Sequence, residues 1–286
     1  MTTFHILTKT AFSEQEIADV AALEQLCDER DQITLRIGTE YLSSRPGDKA
    51  HDFLCYDHGR LIGYLCWLSF DDKEAEINGM VHPDFRRRGV FRSLLQAAEA
   101  EMRPRGIDTL VYLIDDRSSS GRDFAQHLGA VYRNAEYTMT LGTFAPPVTR
   151  DAALRLRPAA EADFQFMVTC SAQAFGDTEE WTRDLLTRTN EPNRTAYIAE
   201  LGGEPIAMIR VLRDEREVAD IHGFSVLPAF QGRGFGRQIL ADTVQSLKGE
   251  GRTTIRLDVV IENERALALY QSVGFAVSSA VHFYVR

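Results

Sequence analysis

In the second half of the chain, hydrophobic and polar positions follow two periods. Ala196–Glu200 and Ile206–Leu212 are apolar-rich runs flanking Gly202-Gly203, which predicts a hairpin. Ala219 to Val226 alternates and predicts the next strand. Between Gly236 and Lys248, the residues Ile239, Leu240, Val244 and Leu247 share one helical face, and Gly249-Glu250-Gly251 ends the run. Thr254–Val260 is apolar and β-branched, a strand. Glu264–Val273 is a helix stopped by Gly274, and Val281–Val285 is the last strand. The first half predicts a similar series: a helix over Phe91–Arg103, a strand over Thr109–Ile114, a helix over Arg122–Leu128 and a strand over Tyr137–Leu141. Hairpins leading into strand–helix–strand–helix–strand describe a mixed α/β architecture, too irregular in alternation for a barrel.

The likeness of the halves extends to single residues. Val81-x-Pro83-x-Phe85 followed by Arg88-Gly89 matches Val226-x-Pro228-x-Phe230 followed by Arg233-Gly234, at an offset of 145. The same offset pairs Arg92 with Arg237, Leu95 with Leu240, Gly106 with Gly251 and Gly129 with Gly274. Two copies of one domain, 1–145 and 151–286, explain this best, each long enough to hold its own core. Pro146-Pro147 interrupts regular structure at the join. Leu154–Pro158 then opens the second copy as a strand, with helical spacing from Glu161 to Gln173.

Composition narrows the function classes. The chain has 286 residues, 44% hydrophobic and 26% charged, with 32 basic against 42 acidic residues and a net charge of −10. An acidic balance disfavours binding along a phosphate backbone, so no nucleic-acid partner is expected. The longest apolar run, Leu61 to Leu68, is far short of a membrane span, and Met1–His5 begins no secretory signal. Cys27, Cys55, Cys66 and Cys170 have neither Cys-x-x-Cys spacing nor neighbouring histidines. They read as reduced core thiols of a cytoplasmic protein, with no metal site.

Gln231-Gly232-Arg233-Gly234-Phe235-Gly236 lies between a predicted strand and a predicted helix. Glycines there let backbone amides point into one concavity, and the helix start adds a partial positive charge; the pattern suits a phosphate group, or else marks a flexible turn. It is no P-loop, because Arg237-Gln238 follow where Lys-Ser/Thr is required. It is no dinucleotide fingerprint, because Arg237 stands at the third glycine position. In order and spacing, Val226-x-Pro228, Gln231-x-x-Gly234-x-Gly236, Asn263, Tyr270 and Gly274-Phe275 resemble the GCN5-related N-acetyltransferases (GNAT). Two such domains in one chain are similar to the tandem architecture of mycothiol synthase. The resemblance implies an α/β fold of two tandem GNAT-like domains, each a mixed, mostly antiparallel sheet flanked by helices. It implies acetyl-coenzyme A as co-substrate, held by Val226, Gln231, Gly232, Arg233, Gly234, Phe235, Gly236, Arg237 and Asn263. The Val226 amide would meet the thioester oxygen.

Acetyl transfer to an amine requires loss of a proton from the acceptor, stabilisation of the carbonyl oxygen and departure of a thiolate. Asp220 and His222 sit on one face of the strand before the loop, in slots that resemble the family's base positions. His222 has the better intrinsic pKa for work near neutrality, and Asp220 would act after desolvation, through water or by orienting His222. Either could instead be purely structural. Tyr270 resembles the family's general acid, protonating the leaving sulfur, and its competitor is a core aromatic beside Leu267. In the first copy the equivalents are Ala75, Ile77, Ser118 and Ala125, and Phe91 replaces Gly236. That copy is expected to be catalytically degenerate, with coenzyme A binding left open. The C-terminal copy is expected to transfer acetyl directly to a primary amine of a small molecule or peptide, as monomer or homodimer. A catalytically silent coenzyme A-binding regulator or scaffold, and a transferase of another acyl group, are the alternatives. Asp177, Glu179, Glu180, Asp214, Glu215 and Glu217 would suit a cationic acceptor if they gathered at the site, and a solvated face otherwise.

Overall fold

The structure, a computed structural model, describes residues 4–44, 50–69, 73–214 and 217–286. The first copy begins with β1 (Ile6–Lys9) and α1 (Glu14–Asp31). Ser13 and Glu16 start that helix with a reciprocal capping box, each side chain accepting a backbone N–H of the other. The meander β2 (Asp52–Asp57), β3 (Arg60–Leu68) and β4 (Glu74–Val81) follows, then α2 (Val90–Met102), β5 (Thr109–Asp115), α3 (Ser119–His127) and β6 (Val131–Leu141). The second copy runs β7 (Leu154–Pro158), α4 (Phe164–Phe175), α5 (Glu179–Arg188), β8 (Arg194–Leu201), β9 (Glu204–Arg213), β10 (Val218–Val226), α6 (Phe235–Gly249), β11 (Thr254–Val260), α7 (Glu264–Val273) and β12 (Phe275–Val285).

The chain folds into two compact units that do not coincide with the copies. One comprises residues 1–135 and 279–286, the other 136–278. In the first unit the strand order is β1-β2-β3-β4-β5, completed by the end of β12, whose Val281–Val285 pair antiparallel with Asp115–Val111. In the second unit the order is β7-β8-β9-β10-β11, completed by the end of β6, whose Glu136–Thr140 pair antiparallel with Val260–Arg256. The last strand of each copy thus serves the sheet of the other unit, and the division read from the repeat, 1–145 and 151–286, differs from the compact units at those strands.

Each sheet is covered on both faces. In the first unit, Leu94, Leu95 and Ala98 of α2 pack with Ile62, Leu65 and Tyr112 on one side, and Val20, Leu23 and Cys27 of α1 cover Leu54 and Tyr64 on the other. In the second unit, Ile239, Leu240, Val244 and Leu247 of α6 are buried against Ile209, Val211 and Ile221, as their spacing predicts. Met167, Val168 and Cys170 of α4 close the opposite face over Ile198 and Met208. All four cysteines are buried and form no disulfide. No helix among the described residues is long and apolar enough to cross a membrane.

Candidate active site

The site of the second unit begins where two strands part. β10 pairs parallel with β11 from Val218↔Thr254 to Ile221↔Leu257, and the register ends there. On its other edge β10 pairs with β9, but the register shifts between His222 and Ser225, at Gly223, whose φ is +54°. A Cβ at Gly223 would stand 3.3 Å from Arg210 Cδ, so glycine suits both the backbone and the space of this bulge. Beyond it Leu227 N donates to Ile206 O at 2.9 Å. Alternation in the antiparallel ladder then turns the Val226 N–H to the opposite edge, towards the opening between β10 and β11.

The glycine loop follows. Gln231 Nε2 donates to Val226 O at 2.9 Å, folding the loop back onto the strand end. Gly232 and Gly234 have φ of +72° and +85°, and a Cβ at either would meet nothing within 4 Å. Gly234 is the N-cap of α6 and supplies no side chain to the first-turn amides. Open space beside two left-handed glycines, at an uncapped helix start, suits the pyrophosphate of acetyl-coenzyme A. Phe235 anchors the helix start, 6% exposed. The Arg233 guanidinium lies 4.9 Å from the centre of the Phe235 ring and 5.6 Å from that of Phe230, which fixes a positive charge on the loop. Arg237 turns the other way: its Nη2 donates to Ser272 O at 3.0 Å, tying α6 to the end of α7.

The residues expected to do the chemistry are placed as follows. Asp220 is ion-paired with Arg256, its ladder neighbour on β11, through Nε and through Nη2 at 3.3 Å. His222 lies on the same face, and Arg194 Nη1 donates to its ring, 2.7 Å from Nδ1 and 2.9 Å from Nε2. Burial, then the Arg194 and Arg210 guanidiniums, pull the His222 pKa down to about 3. The ordinary histidine pKa invoked for a base near neutrality therefore does not apply; the ring is neutral throughout the physiological range. Tyr270 on α7 packs against the core with its ring 6.3 Å from that of Phe275, and burial pushes its pKa up to about 12. Its hydroxyl has no hydrogen-bond partner among the described residues, so it is a protonated donor free to meet another group. Asn263 caps α7, its Oδ1 accepting from Ala266 N at 3.1 Å.

Among the described residues, the acids that would suit a cationic acceptor do not gather at the site. Asp177 and Glu180 are exposed, and Glu179 accepts from Gln165 and from Thr169 at the start of α5. Asp214 is buried and accepts from Val218 N at 2.6 Å, Glu217 is an exposed turn residue, and Glu215 lies outside the described residues. What surrounds His222 is basic: Arg194 from β8 and Arg210 from β9. Hairpin register could have found Arg210, which stands opposite His222; nothing in the sequence pattern marks Arg194.

In the first unit the same region is built differently. The β3–β4 register runs without a shift from Gly63↔Val81 to Leu68↔Glu76, so β4 has no bulge. Phe91 on α2 lies against Phe124 at 4.8 Å between ring centres. Ser118, in the place of Asn263, caps α3 by accepting from Gly121 N at 3.1 Å. A cavity of about 560 Å³ nonetheless persists beside β4, α2 and α3, lined by Ile77, Val81, Phe91, Tyr112 and Phe124 among others.

Fold and loop together define an acetyl-coenzyme A-dependent acyltransferase. The chain belongs to the acetyltransferase (GNAT) family, whose sequence profile matches residues 16–130 and again 159–275. It is 26% identical to a mycothiol acetyltransferase of Thermobifida fusca in an alignment covering 99% of this chain and 98% of that protein. An uncharacterized N-acetyltransferase of Methanocaldococcus jannaschii is 30% identical over 32% of this chain, a match that spans 42% of that protein's length. Among solved structures, a tandem GNAT protein from the clavulanic acid biosynthesis pathway superposes with a TM-score of 0.74 at 17% identity, covering 99% of this chain and 98% of its own. The tandem arrangement and the mixed, mostly antiparallel α/β fold expected from the sequence are therefore both present.

Proposed function

We propose that the C-terminal copy, 151–286, carries the activity and transfers acetyl from acetyl-coenzyme A directly to a primary amine of a small molecule or peptide. The N-terminal copy, 1–145, is catalytically degenerate. The observation that carries this reading is the combination found in the second unit: a bulged β10, a glycine loop that keeps Gly236 in the first turn of α6, and a Tyr270 hydroxyl with no hydrogen-bond partner among the described residues. Acetyl-coenzyme A supplies the activated acetyl group and a thiolate leaving group. Gln231, Gly232, Gly234 and the first-turn amides at Phe235 and Gly236 hold its phosphates, with the Arg233 charge beside them. Asn263 caps the start of α7 and Arg237 ties the start of α6 to the end of α7, placing the loop.

One C–N bond forms and one C–S bond breaks, and a proton of the amine ends on the departing sulfur. The Val226 N–H stabilises the carbonyl oxygen as it gains charge. His222, held neutral and now bound by Arg194, is a positioning group for the amine or for a water bound to it once Arg194 moves away, and Asp220, fixed by Arg256, orients that network. Tyr270 gives its proton to the sulfur; a phenol with its pKa raised is not ionised at working pH, so the donor form is always present. Direct transfer predicts sequential kinetics in a thiol-release assay with a panel of amines. A Gly234→Glu variant, which puts bulk and negative charge into the loop, should lose turnover and the corresponding acetyl-coenzyme A site in a calorimetric titration. Ping-pong kinetics, or a variant as active as the parent, would overturn the reading.

A further inference from the structure

The face of β8, β9 and β10 that packs against α4 and α5 holds more buried positive charge than it neutralises. Arg210 stands opposite His222 in the β9–β10 ladder and is 6% exposed. Its guanidinium donates to Thr189 alone, to Oγ1 at 2.9 Å and to the carbonyl oxygen at 2.7 Å, and forms no ion pair with a carboxylate among the described residues. Arg194, whose side chain is 12% exposed, has one carboxylate partner, Glu191, at 2.8 Å, and that glutamate is half exposed at the rim. Arg194 Nε is buried with no acceptor. Two guanidiniums therefore share one rim carboxylate beside a neutral imidazole.

Such an arrangement is costly as it stands. A buried guanidinium without a counter-ion gives up hydration that hydrogen bonds to a threonine only partly replace. Burial and the neighbouring Arg194 charge bring the Arg210 pKa down to about 10, which records the same imbalance. An anion entering from the rim would correct it. Glu191 is the group it would displace, and an exposed ion pair is weak enough to yield. The position is informative because His222, on the next strand, is the group proposed to meet the acceptor amine.

We propose that Arg194 and Arg210 form an anion subsite beside His222, and that the acceptor is an amine that also carries a carboxylate or phosphate. This rests on the transferase reading above and narrows it, against polyamines and other purely cationic acceptors. Arg194 docks the anion at the rim, displacing Glu191 and releasing the imidazole it now holds. Arg210 supplies fixed charge from beneath and keeps the imidazole neutral.

The test has two arms on the full chain. In the first, thiol release is measured with acetyl-coenzyme A and matched acceptors: tyrosine against tyramine for a carboxylate, and glucosamine 6-phosphate against glucosamine for a phosphate. The anionic member of at least one pair should be favoured roughly tenfold or more in kcat/KM. Arg194→Gln should erase that preference by raising KM for the anionic acceptor, with acetyl-coenzyme A affinity unchanged. Arg210→Lys, which keeps the charge, should retain part of it. A preference for the cationic members, or an Arg194→Gln variant that weakens acetyl-coenzyme A instead, overturns the proposal. In the second arm, sodium acetate and sodium phosphate are titrated into the protein without coenzyme A while the His222 imidazole resonances are followed. A saturable shift, absent in Arg194→Gln, supports the subsite, and no saturable shift overturns it. A saturable shift without thiol release from any amine would keep the subsite and sink the transferase reading, so the two failures are distinct.

Discussion

In the C-terminal copy, Phe224 on the strand faces Gly236 on the helix, and a Cβ on that glycine would lie 3.8 Å from the ring. In the N-terminal copy the pair is reversed: Gly79 is on the strand, and its Cβ would lie 2.9 Å from the ring of Phe91 on the helix. One phenylalanine fills the space between strand and helix in both, so packing is satisfied either way. The chemistry is not. A ring rooted on the strand leaves glycine in the first turn of the helix, whereas a ring rooted on the helix places Phe91 there, packed against Phe124. The bulge follows the same division, present at Gly223 and absent at Asn78. The cap does not: Asn263 and Ser118 both start their helices, so that polar position survives where Asp220, His222 and Tyr270 are answered by Ala75, Ile77 and Ala125. Both copies keep what folding needs, and the bulge and the glycine in the helix's first turn are found in the C-terminal copy.

The largest expected effect comes from making the C-terminal copy resemble the other. Gly236→Phe would set a second ring against Phe224 and Leu269, and acetyl-coenzyme A affinity measured by calorimetry should fall roughly a hundredfold or more. Adding Phe224→Gly should recover thermal stability without recovering turnover; recovery of both would show that the glycine is there for packing alone. Next in size, Tyr270→Phe should lower kcat about 10²- to 10³-fold while the acetyl-coenzyme A Kd stays the same. Its equivalent, Ala125, is fully buried, so nothing comparable can be removed from the first copy.

A third difference is one of pH. His222 has its folded-state pKa depressed to about 3, against an ordinary value of about 6.5, while its counterpart Ile77 does not titrate. Between these values the unfolded chain binds a proton that the folded chain does not. Stability from this group is therefore full above about pH 6.5 and falls as pH drops towards 3, by roughly 1.4 kcal/mol per pH unit. Thermal unfolding from pH 7 to pH 4 should show a smaller loss in His222→Gln than in the parent, and kcat should show no acid limb from this residue near pH 6. Smallest are the caps. Asn263→Ala and Ser118→Ala should each cost about 1 kcal/mol in chemical denaturation. Only Asn263→Ala should also weaken acetyl-coenzyme A, and equal affinities in the two variants would confine Asn263 to capping.

Much of the fold is legible in the sequence. Thr254–Val260 and Glu264–Val273 form the strand and helix their patterns predict, and Leu154–Pro158 opens the second copy. The failures concentrate at the final strands. Periodicity starts them at Tyr137 and Val281, whereas β6 begins at Val131 and β12 at Phe275. Val131 and Tyr132 are 70% and 48% exposed, and Ala276 to Ser278 are exposed too, so burial writes no alternation there. These segments are strands because partners accept their backbone hydrogen bonds, and a pattern of side chains does not name a partner.

The candidate site divides along the same line. The glycine loop and the shared face of Asp220 and His222 can be read locally, because backbone geometry selects glycine and fixed intervals place side chains on one face, whereas their candidate roles and that of Tyr270 come from the family resemblance. The exchange of last strands between units, the pairing of Asp220 with Arg256 and the two arginines around His222 were decided only in three dimensions. A residue's neighbours along the chain set its conformation. Its charge state and reactivity are set by residues brought close from other strands, and Arg194, twenty-eight positions from His222, changes that histidine more than anything beside it in sequence.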